Sequence, residues 1–215
     1  MKRELGRWNL VDKTLSLSSP LTPMRIPVVV QYRHVHLSTE DVARLFGPDA
    51  ILKPMARLGH RGQVVYRETV CLVGKHGRLE DVHVLGPARA QTQVELSAVE
   101  AFALGLNAPV RCSGDLKRAA GCGLVGPYGK IRSRACAIVP VRHLHCNPAT
   151  ARQLRVVHED VVNLVVPGRP ELLIEHVVVR VHPTFALEFH LGVDEAAAFW
   201  LATNDVVTID RSSVQ

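Results

Sequence analysis

A five-residue stretch, Arg33-His34-Val35-His36-Leu37, follows a β-branched run and recurs later in the chain as Arg142-His143-Leu144-His145-Cys146. On a β-strand, side chains two positions apart point to the same face, with their backbones about 7 Å apart. Two imidazoles in this arrangement can reach one metal ion. One such pair arises easily by chance. Two copies in matching contexts predict a duplicated β domain with metal ligands in each half.

The segments that follow the two pairs are also alike. Ser38 can cap a short helix that ends near Phe46, and Asn147-Pro148 can open another that ends near Leu154. Asn suits the position before a helix, and Pro suits its first turn. Both halves therefore predict a strand followed directly by a short helix.

A third candidate ligand stands further along each half. Glu95 precedes a helical pattern over residues 98–104, and His190 precedes a similar pattern over residues 194–201. Taken alone, Glu95 could instead form a buried ion pair with Arg89, and His190 could be a hydrogen-bonded core histidine. The repeat favours two ligand sets: His34, His36 and Glu95, and then His143, His145 and His190.

Turn-forming residues separate three pairs of β-like runs. They are Gly74-Lys75-His76-Gly77, Gly126-Pro127-Tyr128-Gly129 and Pro167-Gly168-Arg169-Pro170. Many short strands with a few short helices predict a mainly β fold of two tandem small β-barrels from an internal duplication. We expect an N-terminal extension over residues 1–26, a first barrel over 27–137 and a second over 138–215. An exchange of strands between the halves stays open.

Composition limits the function classes. The 215 residues can hold two domains of about 100 residues each. No apolar run approaches the roughly 18 residues that a membrane span needs, and residues 1–20 lack a signal-peptide core, so we expect a cytoplasmic protein. The five cysteines show no close pair at metal-ligand spacing, and we expect most to be reduced and buried.

The formal net charge is +6, with basic clusters over residues 57–67, 111–118 and 130–134. This balance favours an anionic partner such as a phosphorylated metabolite, a nucleotide cofactor or nucleic acid, although a solvated basic face explains it equally well. Aromatic residues make up only 5% of the chain, which disfavours a base-stacking platform for nucleic acid.

Five strings together carry a resemblance to a known family. They are RHVHLS at residues 33–38, VLGPARAQTQVELS at 84–97, VRCSGDL at 110–116, RHLH at 142–145 and FALEFH at 185–190. In this order they resemble the PduL-type phosphotransacylases, the phosphate propanoyltransferases associated with bacterial microcompartments. The resemblance runs from about Pro27 to Ala198. Cys112 stands where the family commonly has an acidic residue, and Cys146 where it commonly has Met.

The resemblance implies a tandem pair of β-barrels with a two-metal site, usually zinc. The implied reaction converts acyl-CoA, either propionyl-CoA or acetyl-CoA, and phosphate into acyl phosphate and CoA. By the motifs, each of the two ligand sets would hold one metal ion, and Arg89 would contact phosphate as a catalytic residue. Ser113 could hydrogen-bond substrate, or equally form the turn before Gly114. The basic surface would serve the nucleotide end of CoA.

Two other function classes remain compatible with the sequence. A binuclear zinc hydrolase, such as an acyl-CoA thioesterase, would use the same ligands with water as the nucleophile. A basic nucleic-acid-binding or structural module would leave the histidines incidental. The remaining histidines are expected to be non-ligand residues: His60, His76, His83, His158, His176 and His182.

The N-terminal extension has a pattern of its own. Leu5, Trp8, Val11 and Leu15 recur at helical spacing, and Ser18-Ser19-Pro20 ends the pattern. The resulting amphipathic helix resembles the segments by which microcompartment cargo docks to shell or cargo proteins, and it implies a location in the compartment lumen. A disordered or domain-packed tail is the alternative, and a homo-oligomer is compatible with either.

Overall fold

A computed structural model describes residues 23–57 and 63–211. The amphipathic pattern and the Pro-containing linker expected over residues 1–20 lie outside the described residues. Within the described ranges, no helix is long and apolar enough to cross a membrane.

The described residues form a mainly β fold with short helices, as predicted. The helices are α1 Thr39–Phe46, α2 Ala98–Ala103, α3 Pro148–Leu154 and α4 Val193–Ala198. The strands are β1 Ile26–Gln31, β2 His34–His36, β3 Pro54–Arg57, β4 Val64–Val73, β5 Arg78–Gly86, β6 Gln93–Glu95, β7 Val110–Arg111, β8 Ala120–Val125, β9 Lys130–Pro140, β10 His143–Cys146, β11 Val161–Val166, β12 Arg169–Val181, β13 Glu188–Gly192 and β14 Val206–Ile209. The three predicted turns join β4 to β5, β8 to β9 and β11 to β12.

Helix caps form where the sequence predicts them. The Ser38 hydroxyl accepts a hydrogen bond from the Asp41 amide at 3.1 Å and starts α1. The Asn147 side chain accepts from the Thr150 amide at 2.9 Å and starts α3. A capping side chain satisfies one of the amides that has no partner within the first helical turn, so each helix begins directly after its His-X-His strand.

The first barrel is a closed ring of six strands in the order β4, β5, β2, β6, β9 and β8, which returns to β4. Strands β3 and β7 extend it at β4 and β9. Alternate side chains fill the interior and form one apolar core, of which the fully buried members include Val35, Leu72, Val94, Leu124 and Ala137.

The second barrel is a closed ring in the order β1, β13, β10, β12, β11 and β14. Its core includes the fully buried Val28, Leu144, Leu164, Ile174 and Phe189. The two barrels share one pairing pattern: β10 lies parallel to β12 and antiparallel to β13, as β2 lies parallel to β5 and antiparallel to β6. The predicted pair of duplicated barrels is therefore confirmed.

The halves exchange their first strands. The strand β1 pairs with β13 and β14 of the second barrel, although the expected division placed it in the first. Its counterpart β9 pairs with β6 and β8 of the first barrel and extends to Pro140, past the expected boundary at residue 137. Two residues then lead from each exchanged strand into the His-X-His strand of the other barrel. Alternating apolar residues specify a strand but not its partner, which is why the sequence left an exchange of strands between the halves open.

The five cysteines are free thiols, and all except the half-buried Cys112 are buried. Cys122 and Cys136 lie in the first core with their Sγ atoms 3.4 Å apart.

Candidate metal centre

The first ligand set lies on two neighbouring strands. His34 and His36 project from the same face of β2, and Glu95 stands directly opposite His34 in the antiparallel register of β2 and β6. All three side chains are buried. Each offers one ligand atom, and these atoms all lie within 4.8 Å of one another.

The second ligand set repeats this geometry. His143 and His145 project from β10, and His190 stands opposite His143 in the antiparallel register of β10 and β13. Their ligand atoms also lie within 4.8 Å of one another. His190 therefore occupies the position that Glu95 has in the first barrel. Across residues 23–57 and 63–211, no further cluster of three or more such residues has this closeness, so the other described histidines fall outside both sets.

Backbone carbonyls orient the histidines of the first set. Nδ1 of His34 donates to the Tyr32 carbonyl at 2.9 Å, and Nδ1 of His36 donates to the Leu85 carbonyl at 3.2 Å. Both rings are then the Nδ1–H tautomer, and their Nε2 lone pairs face the site. Nε2 of His34 lies 3.4 Å from Oε2 of Glu95.

The second set is oriented in a related way. Nδ1 of His143 donates to the Val141 carbonyl at 2.8 Å, and Nε2 of His190 lies 3.0 Å from Oε2 of Glu188. The His143 and His190 rings are stacked with their centroids 5.1 Å apart. His145 packs on the Phe185 ring at 4.0 Å. A carboxylate that accepts from one nitrogen of a histidine fixes which nitrogen is left to bind a metal.

Glu95 is a buried carboxylate held by hydrogen bonds. Ser113 donates its hydroxyl to Oε1 at 2.7 Å, and Gln93 donates its amide to the same oxygen. Burial acts to raise the pKa of Glu95. The facing histidines, the Ser113 hydrogen bond and the Arg89 guanidinium outweigh burial and hold the pKa below its ordinary value, so Glu95 is a carboxylate at neutral pH.

His36 and His143 are neutral at the same pH. Burial, with contributions from His34 and Arg89, lowers the pKa of His36 to about 3. Burial and the stacked His190 lower the pKa of His143 to about 4. Neutral imidazole and ionised carboxylate are the forms that bind a metal ion, so no proton has to leave these side chains first.

Arg89 connects the metal-ligand residues to the Ser113 loop. Its Nη2 donates to Nε2 of His36 at 2.8 Å, and its Nη1 donates to the Ser113 hydroxyl at 3.2 Å. Burial lowers the pKa of Arg89, and the side chain is a cation because a guanidinium group is not deprotonated in proteins. Ser113 thus contacts both Glu95 and Arg89, which places both sequence-predicted substrate residues beside the first ligand set.

The two ligand sets influence each other electrostatically. Glu95 of the first set acts electrostatically on His143 of the second, and Arg180 of β12 does so as well. The helices behind the sets also touch, because the Val99 amide of α2 donates to Oδ2 of Asp194 in α4 at 3.0 Å. The strand β1 leads into β2 and β9 leads into β10, so each His-X-His strand begins where the chain crosses from one barrel to the other.

The residues present fit a pair of borderline metal ions. Each set offers three side-chain ligands and leaves a coordination position for a substrate, as in catalytic zinc sites. The fixed tautomers and the neutral histidines support this fit. The Nε2 atom of His36 that a metal would bind now accepts from Arg89, so metal binding and this hydrogen bond compete.

Three residues of the site were not predicted from the sequence. Gln93 and Glu188 stand two positions before the third ligands, opposite His36 and His145, and each contacts the third ligand of its set. Their same-face spacing was a usable signal. Arg180 stands opposite His145, and its buried Nε has no hydrogen-bond partner in the described part of the chain. Nothing local in the sequence distinguishes Arg180 from other arginines.

The chain is similar to known proteins of one family over most of its length. Residues 27–202 match the family model for phosphate propanoyltransferase. A phosphate propanoyltransferase from Thermotoga maritima is 44% identical over 185 residues, which cover 86% of this chain and 88% of that protein. One from Rhodobacter capsulatus is 41% identical over 210 residues, 94% of this chain and 98% of that protein. One from Citrobacter rodentium is 43% identical over 195 residues, 87% and 92% of the two chains.

Fold, site and similarity together define an acyltransferase built from two β-barrels. The similarity extends over both barrels and both ligand sets. The chain belongs to the phosphate propanoyltransferase family.

Proposed function

We propose that the protein interconverts acyl-CoA and phosphate with acyl phosphate and CoA, with propionyl-CoA or acetyl-CoA as the acyl donor, at a two-metal site. The observation that carries the proposal is the pair of matched ligand sets, with the half-buried Arg89 beside the first of them. The family name supports phosphate as the acyl acceptor and propanoyl as the acyl group.

Six side chains would hold the two metal ions, for which zinc is the best match to imidazole and carboxylate ligands. His34, His36 and Glu95 would bind one, and His143, His145 and His190 the other. When bound, such ions supply Lewis-acid stabilisation of a developing oxyanion and of a thiolate leaving group.

The chain's own cations would position phosphate. Arg89 presents a planar donor fork that matches two phosphate oxygens, and it already lies beside both the first ligand set and Ser113. Arg180 offers a second guanidinium next to the second set, with a buried Nε that lacks a partner among the described residues. Ser113 could turn its hydroxyl from Glu95 to the substrate.

The reaction is then a phosphorolysis of the thioester. A phosphate oxygen attacks the carbonyl carbon, the tetrahedral oxyanion collapses, and the carbon–sulfur bond breaks. The phosphate proton ends on the CoA sulfur, so acyl-CoA and hydrogen phosphate give acyl phosphate and CoA thiol. Arg89 stabilises charge on phosphate as the new bond forms. No covalent enzyme intermediate is needed, and none of the cysteines has a role.

One assay tests the activity. CoA release from propionyl-CoA and acetyl-CoA is measured with and without phosphate, and acyl phosphate is trapped with hydroxylamine. We expect release that requires phosphate and yields one acyl phosphate per CoA. Equal release without phosphate would identify the alternative, a binuclear zinc thioesterase. Elemental analysis is expected to find two divalent metal ions per chain, and full activity after exhaustive chelation would contradict the two-metal proposal.

We further propose that the N-terminal segment is an address for a bacterial microcompartment. The support is the amphipathic pattern of residues 1–20, which ends in a Pro-containing linker. A helix of this length has marginal stability in isolation. We therefore expect it to fold on contact with a shell or cargo protein. The test fuses residues 1–20 to a fluorescent reporter in a compartment-forming host. Puncta are expected. Diffuse fluorescence, where the full-length enzyme forms puncta, would show that this segment is not a sufficient address.

A further inference from the structure

Two dipeptides carry the chain from one barrel to the other. Tyr32-Arg33 joins β1 of the second barrel to β2 of the first, and Val141-Arg142 joins β9 of the first barrel to β10 of the second. Each dipeptide directly precedes the first histidine of a ligand set. The position of each crossover dipeptide therefore determines the backbone position of the histidine that follows it.

The first residue of each crossover holds that histidine through its backbone. The Tyr32 carbonyl accepts from Nδ1 of His34 at 2.9 Å, and the Val141 carbonyl accepts from Nδ1 of His143 at 2.8 Å. A ring held in this way keeps its proton on Nδ1 and presents Nε2 to the site. A shift of the crossover would move both the carbonyl and the ring.

The second residue of the first crossover is anchored to the helix behind the site. Nη1 of Arg33 donates to Oε1 of Glu100 at 2.9 Å. The other carboxylate oxygen, Oε2, accepts from the Ser97 amide at 2.9 Å and so caps α2. Ser97 lies two residues after Glu95, so one carboxylate ties the crossover to the end of the strand that carries the third ligand.

The second crossover has the same anchor. Nη1 of Arg142 donates to Oε1 of Glu195 at 2.7 Å, and Oε2 of Glu195 accepts from the Gly192 amide at 3.1 Å. Gly192 lies two residues after His190. The contact thus occurs independently in both barrels, although the third ligands themselves differ in type.

We propose that Arg33 and Arg142 are positioning residues, each of which anchors a crossover dipeptide so that its carbonyl holds His34 or His143 in the Nδ1–H tautomer with Nε2 toward the site. The consequence for metal affinity rests on the proposed two-metal function, but the consequence for the tautomer does not. Both arginines are partly exposed, and a partly exposed ion pair by itself adds little to stability. A local effect on one histidine is therefore what separates this role from general stabilisation.

The test compares Arg33→Gln, Arg142→Gln and a matched control, Arg44→Gln. Arg44 forms an ion pair with Glu40 on the exposed side of α1, away from both crossovers. Nitrogen-15 NMR of the metal-free protein reports the tautomer of each histidine. We expect His34 to lose its uniform Nδ1–H tautomer only in Arg33→Gln, and His143 only in Arg142→Gln. Arg33→Lys, which keeps the charge but not the fork, should be intermediate.

Competition with a chelator for the metal ions provides a second measurement, the metal affinity of each ligand set. Titration with a chromophoric chelator should show one of the two metal ions bound about 10-fold more weakly in each glutamine variant, with the other unchanged. Unchanged tautomers and affinities would overturn the proposal, as would equal weakening of both sites. If the wild-type protein binds no metal, the two-metal proposal fails, while the tautomer measurement still decides the positioning role. Should Arg33→Gln not fold, Arg33→Lys and Arg142→Gln carry the same comparison.

Discussion

At the scale of single residues, the protonation states of Glu95, His36 and His143 in the candidate site have identifiable physical causes. Burial acts to raise the pKa of Glu95, but the facing histidines, the Ser113 hydrogen bond and the charge of Arg89 outweigh it, so Glu95 stays ionised. His36 and His143 stay neutral because burial disfavours the imidazolium form. In these protonation states the three side chains could bind a metal ion without first losing a proton.

Arg89→Ala should lower turnover by about 100-fold or more, because the variant loses a donor fork that stabilises charge on phosphate in the transition state. Arg89→Lys should recover little, since an ammonium group cannot reproduce the paired contacts. Steady-state kinetics with elemental analysis checks both variants, and metal content should be unchanged. Activity within a few-fold of wild type would show that other groups hold the phosphate.

The buried histidines predict an acid-sensitive metal-free protein. The folded-state pKa values of His36 and His143, about 3 and about 4, lie below the ordinary value near 6.5. Between these limits the unfolded chain binds more protons, so stability is complete above pH 6.5 and is lost as pH falls. The pKa of Glu95, also lowered, adds a loss in the same direction at lower pH.

Thermal unfolding of the chelated protein measures this dependence. The melting temperature should fall steadily from pH 7 to pH 4, and His143→Gln should flatten the curve in that interval. A melting temperature independent of pH across that range would contradict the assignment of neutral buried histidines.

At the scale of elements, each His-X-His strand faces the candidate site on one side and a barrel core on the other. On β10, His143 and His145 contribute to the second ligand set, while Leu144 between them is fully buried in the second barrel core. The same alternation holds on β2, where Val35 is buried in the first core. Strand alternation thus couples ligand placement to core packing, because a one-residue slip would reverse both.

Leu144→Ala should therefore destabilise the protein by about 2–5 kcal/mol, as expected for a leucine truncated inside a closed core. Leu173→Ala on β12 is the matched control, because Leu173 is 39% exposed and its truncation should cost less than about 1 kcal/mol. Denaturant unfolding of both variants gives the comparison. Similar losses at the two positions would mean that the β10 interior face is not packed as described.

At the scale of the whole molecule, the two barrels differ in how they are assembled from the chain. All six strands of the first barrel lie within residues 33–140. The second barrel takes β1 from residues 26–31 and the rest from β10 onward. In the first barrel, the turn Gly126-Pro127-Tyr128-Gly129 joins β8 to β9, while the equivalent pair β14 and β1 is antiparallel but has no direct connection.

This difference predicts unequal fragments. Residues 33–140 should fold alone with a cooperative thermal transition, whereas residues 141–215 should not, because an open barrel exposes the edges of β13 and β14. Appending residues 23–32 after residue 211 through a short Gly/Ser linker should restore cooperative folding of the second fragment. The same addition with Val28→Asp is the control and should fail. A cooperative transition for residues 141–215 without β1 would contradict the role of the exchanged strand.

The local features of this protein were determined by the sequence alone. The turns at Gly74, Gly126 and Pro167, the caps at Ser38 and Asn147, and the same-face spacing of the His-X-His pairs all follow from interactions within a few residues. The helical pattern that follows each third ligand also allowed Glu95 and His190 to be aligned, and the strand register places them at equivalent positions.

The tertiary structure alone decided which barrel β1 joins, that Arg33 and Arg142 reach Glu100 and Glu195, and that Arg180 lies next to the second ligand set. These contacts join residues far apart in the chain. An apolar strand can pair with any compatible edge, and a charged side chain can reach any partner nearby in space, so neither choice is encoded by spacing. Both are made when the barrels close and bury their cores together, because only that packing determines which edges and charges meet.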